Sequence, residues 1–378
     1  MSNRLTLDFL FFDAGGGHRS AATALKAVID SQNRGWEVRL VNVQEILDEL
    51  DVFQKIFGIR GQDVYNLVLA KGWTLGSEYM IGPMHAIIRL YHKAQVRLLT
   101  KLWHSRRPDL VVSLIPNFNR SIFDRLQTAL PGTPYISILT DFADYPPHFW
   151  MEQQPQYFIC GTDRAVDQAL HLGHPRDKVF RVSGMILRPQ FYEPEPIERE
   201  SALLKLGLEP DVPTGILLFG GAGSPAMKSI AERLGNSEQS LQLIAICGRN
   251  AKLKEKLQKL QLRHKLFVEG FTQKIPYYMQ LGDFFIGKPG PGSISEAIQL
   301  QLPVLVECNR WTLPQERYNA EWVKKQGVGM VLPSFTAIEP AVRDLLANKL
   351  PQMKQRTREM QNRAVFEIPE ILARLARV

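Results

Sequence analysis

LTLDFLFFDAGGGHRSAATALKAVIDSQ (5–32) decides the fold. An apolar, β-rich run leads into three consecutive glycines, Gly15, Gly16 and Gly17, then into His18 and a stretch with helical rhythm. A strand, a glycine turn and a helix in that order open a doubly wound α/β domain. TGILLFGGAGS (214–224), again with a helix behind it, starts the same unit a second time. Working outward from the first unit, WEVRLVNV (36–43), DLVVSLI (109–115), PYISILTD (134–141), YFICG (157–161) and VFRVSGM (179–185) read as further strands. Behind the second come LQLIAICGR (241–249), KLFVEGF (265–271), DFFIGKPGPGS (283–293) and PVLVEC (303–308). Continuous apolar strands alternating with helices imply parallel sheets covered on both faces.

The bulk properties agree. A chain of 378 residues exceeds what one hydrophobic core usually supports, so two domains are expected. RPQFYEPEPIERES, rich in Pro and Glu, suits a linker. The predicted organisation is an N-terminal domain at 1–190, a linker at 191–212, a second domain at 213–351 and a helical segment at 352–378. Cys160, Cys247 and Cys308 are far apart and form no CxxC pair, which argues against a disulfide framework or a zinc site and suits a reducing cytoplasm. No signal-peptide pattern or bilayer-length apolar run is read in the chain. A net charge of +8 favours an acidic partner. No zinc finger or RNA-recognition signature points to nucleic acid.

Three glycine turns follow strands: GGGHRS (15–20), GGAGS (220–224) and GKPGPGS (287–293). None is a P-loop or a GxGxxG fingerprint. Each reads either as a tight βα turn or as a seat where backbone N–H groups approach a phosphate. Their number, with two of them opening the two halves, favours a phosphate-bearing ligand between the domains. His18 reads either as a surface or capping residue or as a base at a strand's carboxyl end. Ser293 and Glu296 spell S-x-x-E, a capping box with Glu296 in the first helical turn, or else Glu296 accepts hydrogen bonds from a ribose diol.

GGGHRSA, LLFGGAGS, GKPGPGSISEAIQLQLP and PQERYNA occur in the order and spacing of the monogalactosyldiacylglycerol synthase family. TDFADYPPHFW and CGTDRAVDQAL extend the resemblance over nearly the whole chain, and the processive diacylglycerol glycosyltransferases and the peptidoglycan lipid II N-acetylglucosaminyltransferase are similar at lower resolution. The resemblance implies the GT-B architecture: two Rossmann-like domains facing across a cleft, the sugar nucleotide held mainly by the second. It makes His18 the base for the acceptor hydroxyl and puts Gly16 and Gly17 on the acceptor side. It places Gly221, Gly223 and Ser224 near the diphosphate, and Phe271 and Thr272 beside the uracil. Gly290, Gly292 and Ser293 then form the phosphate-side helix start, Glu296 binds ribose, and Gln315, Glu316 and Asn319 meet the hexose. Without the resemblance, the 315–319 segment reads as a solvated helix face. GGAGSPA has fewer glycines than the plant enzymes carry, and the Gln315–Glu316 pair is closer to the glycolipid synthases than to the peptidoglycan enzyme.

The implied reaction is a single inverting displacement in which UDP leaves and helix N-terminal amides stabilise its charge. There is no DxD motif, and no metal or cofactor is expected. Asp141 reads as a turn or cap residue, or as a group that orients the base. The acceptor implied is diacylglycerol and the donor a UDP-hexose, galactose ahead of glucose. HAIIRLYHKAQVRLLTKLW (85–103) repeats a basic residue at every fourth position. Arg89, Lys93, Arg97 and Lys101 wind along one side, opposite an apolar arc. That segment reads either as a helix packed on its own domain or as a contact with an anionic membrane surface. With Trp73 in the preceding loop it forms a candidate membrane-binding region at 58–107, so a cytoplasmic, peripherally membrane-associated enzyme is expected. An N-acetylglucosaminyltransferase for another lipid and a UDP-sugar epimerase stay open as alternatives; an epimerase has no use for the basic segment.

Overall fold

The structure, a computed structural model, describes residues 5–12, 16–43, 45, 102–145 and 148–376. They divide into two compact units: one holds the described residues through Pro189 and the C-terminal stretch from Asn362, the other Gln190–Gln361.

In the first unit, β1 (Thr6–Phe11), α1 (Gly17–Ser31), β2 (Glu37–Asn42), β3 (Leu110–Ser113), α2 (Asn119–Ala129), β4 (Tyr135–Ile138), β5 (Tyr157–Cys160), α3 (Asp163–His171) and β6 (Val179–Arg181) follow one another. The sheet runs β2-β1-β3-β4-β5-β6, every pair parallel. Its inner strands are buried on both faces, as their unbroken apolar sequences require.

The second unit contains α4 (Arg199–Lys205), β7 (Thr214–Leu218), α5 (Ala226–Gly235), β8 (Gln242–Ile246), α6 (Ala251–Gln258), β9 (Leu266–Glu269) and α7 (Ile275–Gln280). It continues with β10 (Phe284–Gly287), α8 (Pro291–Gln299), β11 (Val304–Glu307), α9 (Pro314–Gln326), β12 (Gly329–Leu332), α10 (Ile338–Asp344) and α11 (Leu350–Glu359). The order β12-β11-β10-β7-β8-β9 is again fully parallel. Each sheet therefore reverses its direction of growth once, between β1 and β3 and between β7 and β10. Ligands of open α/β sheets bind outside the carboxyl ends of the strands at such a point.

Three details differ from the sequence reading. The stretch read as a linker contains α4, whose Ala202 and Leu203 are buried and whose Arg199 bonds Asp283 at 3.0 Å and the Leu281 carbonyl at 3.1 Å. The strand β12 is additional; its four residues follow Gly327 and carry no turn signal long enough to mark them. The C-terminal segment forms two helices, of which only α11 belongs to the second unit. The last, α12 (Ala364–Leu375), packs on α1 through an apolar face that includes Val365, Ile368 and Leu372. Its start is fastened by Asn362 Nδ2 to the Met185 carbonyl (2.8 Å) and by the Arg363 N–H to Ser183 Oγ (2.7 Å).

Candidate active site

In the first unit the switch point holds His18. Gly16 is the N-cap of α1 and sits at φ 78°, the left-handed region that glycine enters without strain. No side chain caps the helix, which removes the capping reading of His18. The half-buried ring lies instead against Thr140, just beyond β4, with Nδ1 3.0 Å from Thr140 Oγ1. The Leu114 backbone, just beyond β3, also lies beside the ring. Burial pushes the imidazole down to about 4, the Leu114 contact acting the other way, so His18 is neutral at neutral pH.

The Trp150 ring lies 5.9 Å from the His18 ring, centroid to centroid, and Trp150 Nε1 donates to Asp141 Oδ2 at 2.8 Å. Among the contacts described, Asp141 reaches His18 through Trp150. The Trp150 backbone N–H donates to Asp144 Oδ1 (2.6 Å). Burial raises the Asp144 carboxyl to about 7 against the backbone hydrogen bonds it receives. Gly17 has an ordinary φ, and a Cβ built on it meets no atom within 4 Å. Among the described residues nothing requires glycine there; its lack of a side chain leaves room.

In the second unit the turns after β7 and β10 stand side by side at the switch point. A Cβ on Gly221 or Gly292 also meets nothing within 4 Å, at ordinary φ. Gly223, in contrast, is confined: its Cβ would stand 2.9 Å from Leu253 Cδ2 and 3.0 Å from the Cys247 carbonyl. The turn after β8 clamps the one after β7, with the Arg249 N–H donating to the Gly221 carbonyl at 2.8 Å. Ser224 Oγ accepts from the Ala226 N–H at 3.3 Å. Beyond β9, Phe271 is 58% exposed, and the Arg249 guanidinium lies over its ring at 5.0 Å. Thr272 Oγ1 accepts from the Lys274 N–H (3.0 Å) and so closes that loop.

Two readings of this unit are corrected. The helix α8 begins at Pro291 with Gly290 as N-cap and no side-chain cap, so Ser293 lies inside the first turn and makes no capping box. Glu296 consequently belongs to the second turn. The 315–319 segment is not a solvated face, although Gln315 is half-buried: Glu316 is 8% exposed and Asn319 fully buried. With Ala320 and Val323 they form the i, i+3, i+4, i+7 stripe that faces the sheet, two of its four places being polar. Asn319 Nδ2 donates to the Pro289 carbonyl (2.8 Å) and Glu316 Oε1 accepts from Lys288 Nζ (2.9 Å), so α9 holds the turn after β10.

Sequence reasoning missed Thr140, Leu114, Trp150, Lys288 and Gly248. Trp73, Arg89, Lys93, Arg97 and Lys101, the membrane candidates, lie outside the described residues. Among the described residues, no helix is long and apolar enough to cross a membrane, and no three His, Cys, Asp or Glu side chains are grouped to hold a metal ion.

Residues 18–185 match the family described as Monogalactosyldiacylglycerol (MGDG) synthase, and residues 216–374 match the Glycosyltransferase family 28 C-terminal domain. A probable monogalactosyldiacylglycerol synthase, chloroplastic, of Glycine max is 27% identical over 97% of this chain and 71% of its own length. A processive diacylglycerol beta-glucosyltransferase of Bacillus subtilis is 24% identical over 79% of each. The crystal structure of Acinetobacter baumannii MurG covers 98% of the chain with a TM-score of 0.58 at 11% identity, and 100% of MurG is matched. A UDP-GlcNAc 2-epimerase from Neisseria meningitidis superposes as well, with a TM-score of 0.58, 15% identity and coverage of 98% and 100%. The fold is therefore that of the GT-B glycosyltransferases, and an epimerase shares it.

Proposed function

The chain belongs to the family of monogalactosyldiacylglycerol synthases and processive diacylglycerol glycosyltransferases, UDP-sugar-dependent hexosyltransferases with a family 28 C-terminal domain, and from that premise we propose that it moves a hexose from a UDP-sugar to the free hydroxyl of diacylglycerol with inversion. The observation that carries the reading is the pair Gly221 and Gly292. Both stand where two strands diverge, and neither needs to be glycine for the fold. A diphosphate fits that room, next to the uncapped N-terminus of α8. Phe271 offers its exposed face to the uracil, Glu296 takes the ribose hydroxyls, and Gln315 and Glu316 meet the hexose, while fully buried Asn319, expected to meet it too, holds the turn beneath.

His18, neutral and held by Thr140, removes the proton of the attacking hydroxyl. We take galactose as the hexose, the sugar in the names of the plant relatives. Because the acceptor is a lipid, the reaction runs at a membrane surface, and the basic pattern of 85–103 supplies the contact. The test is to incubate the purified protein with diacylglycerol vesicles and either UDP-galactose or UDP-glucose. Free UDP plus a galactolipid is expected. A glucolipid corrects the sugar, and an altered UDP-sugar without lipid product replaces the reading by epimerisation.

Two substitutions probe the geometry. Gly292→Ala sits inside a helix, where alanine is better than glycine by about 0.5–1 kcal/mol. The variant is expected to melt slightly above the wild type yet bind UDP more weakly, which calorimetry and a thermal melt read separately. Thr140→Val keeps the shape but removes the hydroxyl that fixes the His18 ring. The expected outcome is a kcat about 10- to 100-fold lower with unchanged UDP affinity, measured by steady-state kinetics and titration.

A further inference from the structure

We propose that Lys288 is a catalytic residue: its ammonium group binds the diphosphate of the donor and neutralises the charge that appears on UDP as it leaves. The inference rests on the donor reading above and adds to it a cation that the backbone N–H groups of the glycine turns do not supply.

Lys288 is the first residue beyond β10, at the point where β7 and β10 part. Its side chain lies across the ground between the two donor turns. Its Cε stands 3.9 Å from the place a Cβ on Gly220 would occupy and 3.3 Å from that on Gly290. A Cβ at Gly290 would press on the lysine, and one at Gly220 would just touch it. The turn is fixed around it: the Gly290 N–H donates to the Lys288 carbonyl at 2.8 Å, and buried Asn319 holds the Pro289 carbonyl. The ammonium itself rests on Glu316 Oε1 at 2.9 Å. Glu316 is nearly buried, whereas the lysine side chain is 42% exposed, so the cation is the open end of the pair. Asn319 Oδ1, three residues beyond Glu316 on the same helix face, is buried without a hydrogen-bond partner.

The need for a cation follows from charge. UDP departs with one more negative charge than it carries within the sugar nucleotide. A helix N-terminus offers roughly half an elementary charge, and Pro291 at the first position of α8 removes one of its N–H donors. Arg249 is stacked on Phe271. Lys288 supplies the full unit. In the free protein Glu316 holds it. When the donor binds, hexose hydroxyls take the Glu316 oxygens and the ammonium turns to the phosphate. The acceptor oxygen then bonds to the anomeric carbon as the bond from that carbon to the β-phosphate oxygen breaks. The electron pair stays on that oxygen, where a Lys288 N–H donates to it, and the acceptor's proton passes to His18.

The test is calorimetric titration of the full chain with UDP and with UMP, which lacks the β-phosphate. Lys288→Met is expected to weaken UDP by about 10- to 100-fold while UMP changes little, so the preference for UDP collapses. Lys288→Arg should restore much of it. Because Lys288→Met leaves Glu316 buried without its cation, the double variant Lys288→Met/Glu316→Gln is measured alongside, and it too should lack the preference. A preference that returns in the double variant overturns the proposal, since Lys288 then serves only to neutralise Glu316. A preference kept in both variants overturns it as well. A wild type that binds neither nucleotide overturns the donor reading, and this inference with it.

Discussion

Replacing His18 with alanine is expected to lower hexose transfer by about 10²–10⁴-fold, the usual worth of a positioned general base, while UDP binds as before. The two halves of that result test different units, because His18 belongs to the first and the donor turns to the second. The acid limb of the wild-type profile tests the same group without a mutation. In the proposed mechanism the neutral imidazole is the active form, and burial pushes its pKa down to about 4 from an ordinary 6.5. Turnover should therefore hold as the pH falls from 7 to 5 and decline only near 4. In His18→Ala that limb disappears with the activity. A variant within threefold of the wild type, or an acid limb that persists unchanged in His18→Ala, removes His18 as the base.

The Asp144 carboxyl, raised to about 7, has the opposite sign for stability. The native state binds the Asp144 proton more tightly than the unfolded chain does, so this group's contribution is present below pH 4 and is lost as the pH rises through 7. The His18 contribution is absent at low pH and grows as the pH rises from 4 to 6.5. The two oppose each other between pH 4 and 6.5, and the catalytic profile is for that reason the cleaner reporter of His18.

How much of this was legible in the sequence follows from distance along the chain. The strand, glycine turn, helix units are local, and apolar strands such as LLF and FFIG announce burial by themselves, so both sheets could be read except β12. The partners of His18 could not. Thr140 is 122 residues away, and only the adjacency of β1, β3 and β4 brings it to the ring. Glu316 and Asn319 looked like solvated helix positions because their chemistry is polar. The signal that could have found them is their spacing with Ala320 and Val323, which puts polar groups on an otherwise apolar stripe. Ser293 misled because S-x-x-E is a capping pattern, yet Pro291, favoured at the first helical position, marks the true start two residues earlier. The return of α12 to the first unit left no mark at all, since its partners on Ser183 and Met185 are tertiary.

Gly248→Ala carries the second large effect, at a residue the sequence reading passed over. Gly248 sits at φ +58°, where an alanine is strained by about 1–2 kcal/mol. Its added methyl would also press on the Gly221 carbonyl oxygen and stand 2.7 Å from the carbonyl carbon. A flexible side chain could swing aside, but backbone cannot, and the neighbouring Arg249 N–H is bonded to that same carbonyl. The relief must come from the 220–224 turn moving outward, which takes the proposed diphosphate contacts with it. UDP affinity is expected to fall by about 10- to 100-fold, whereas the melting temperature should drop only by about 2–8 °C, because the core beneath the turn is untouched. His18 lies in the other unit, so its ionisation should not change. Unaltered UDP affinity in a folded Gly248→Ala protein would remove the turn after β7 from the donor site, and a loss confined to stability would make Gly248 a folding residue alone.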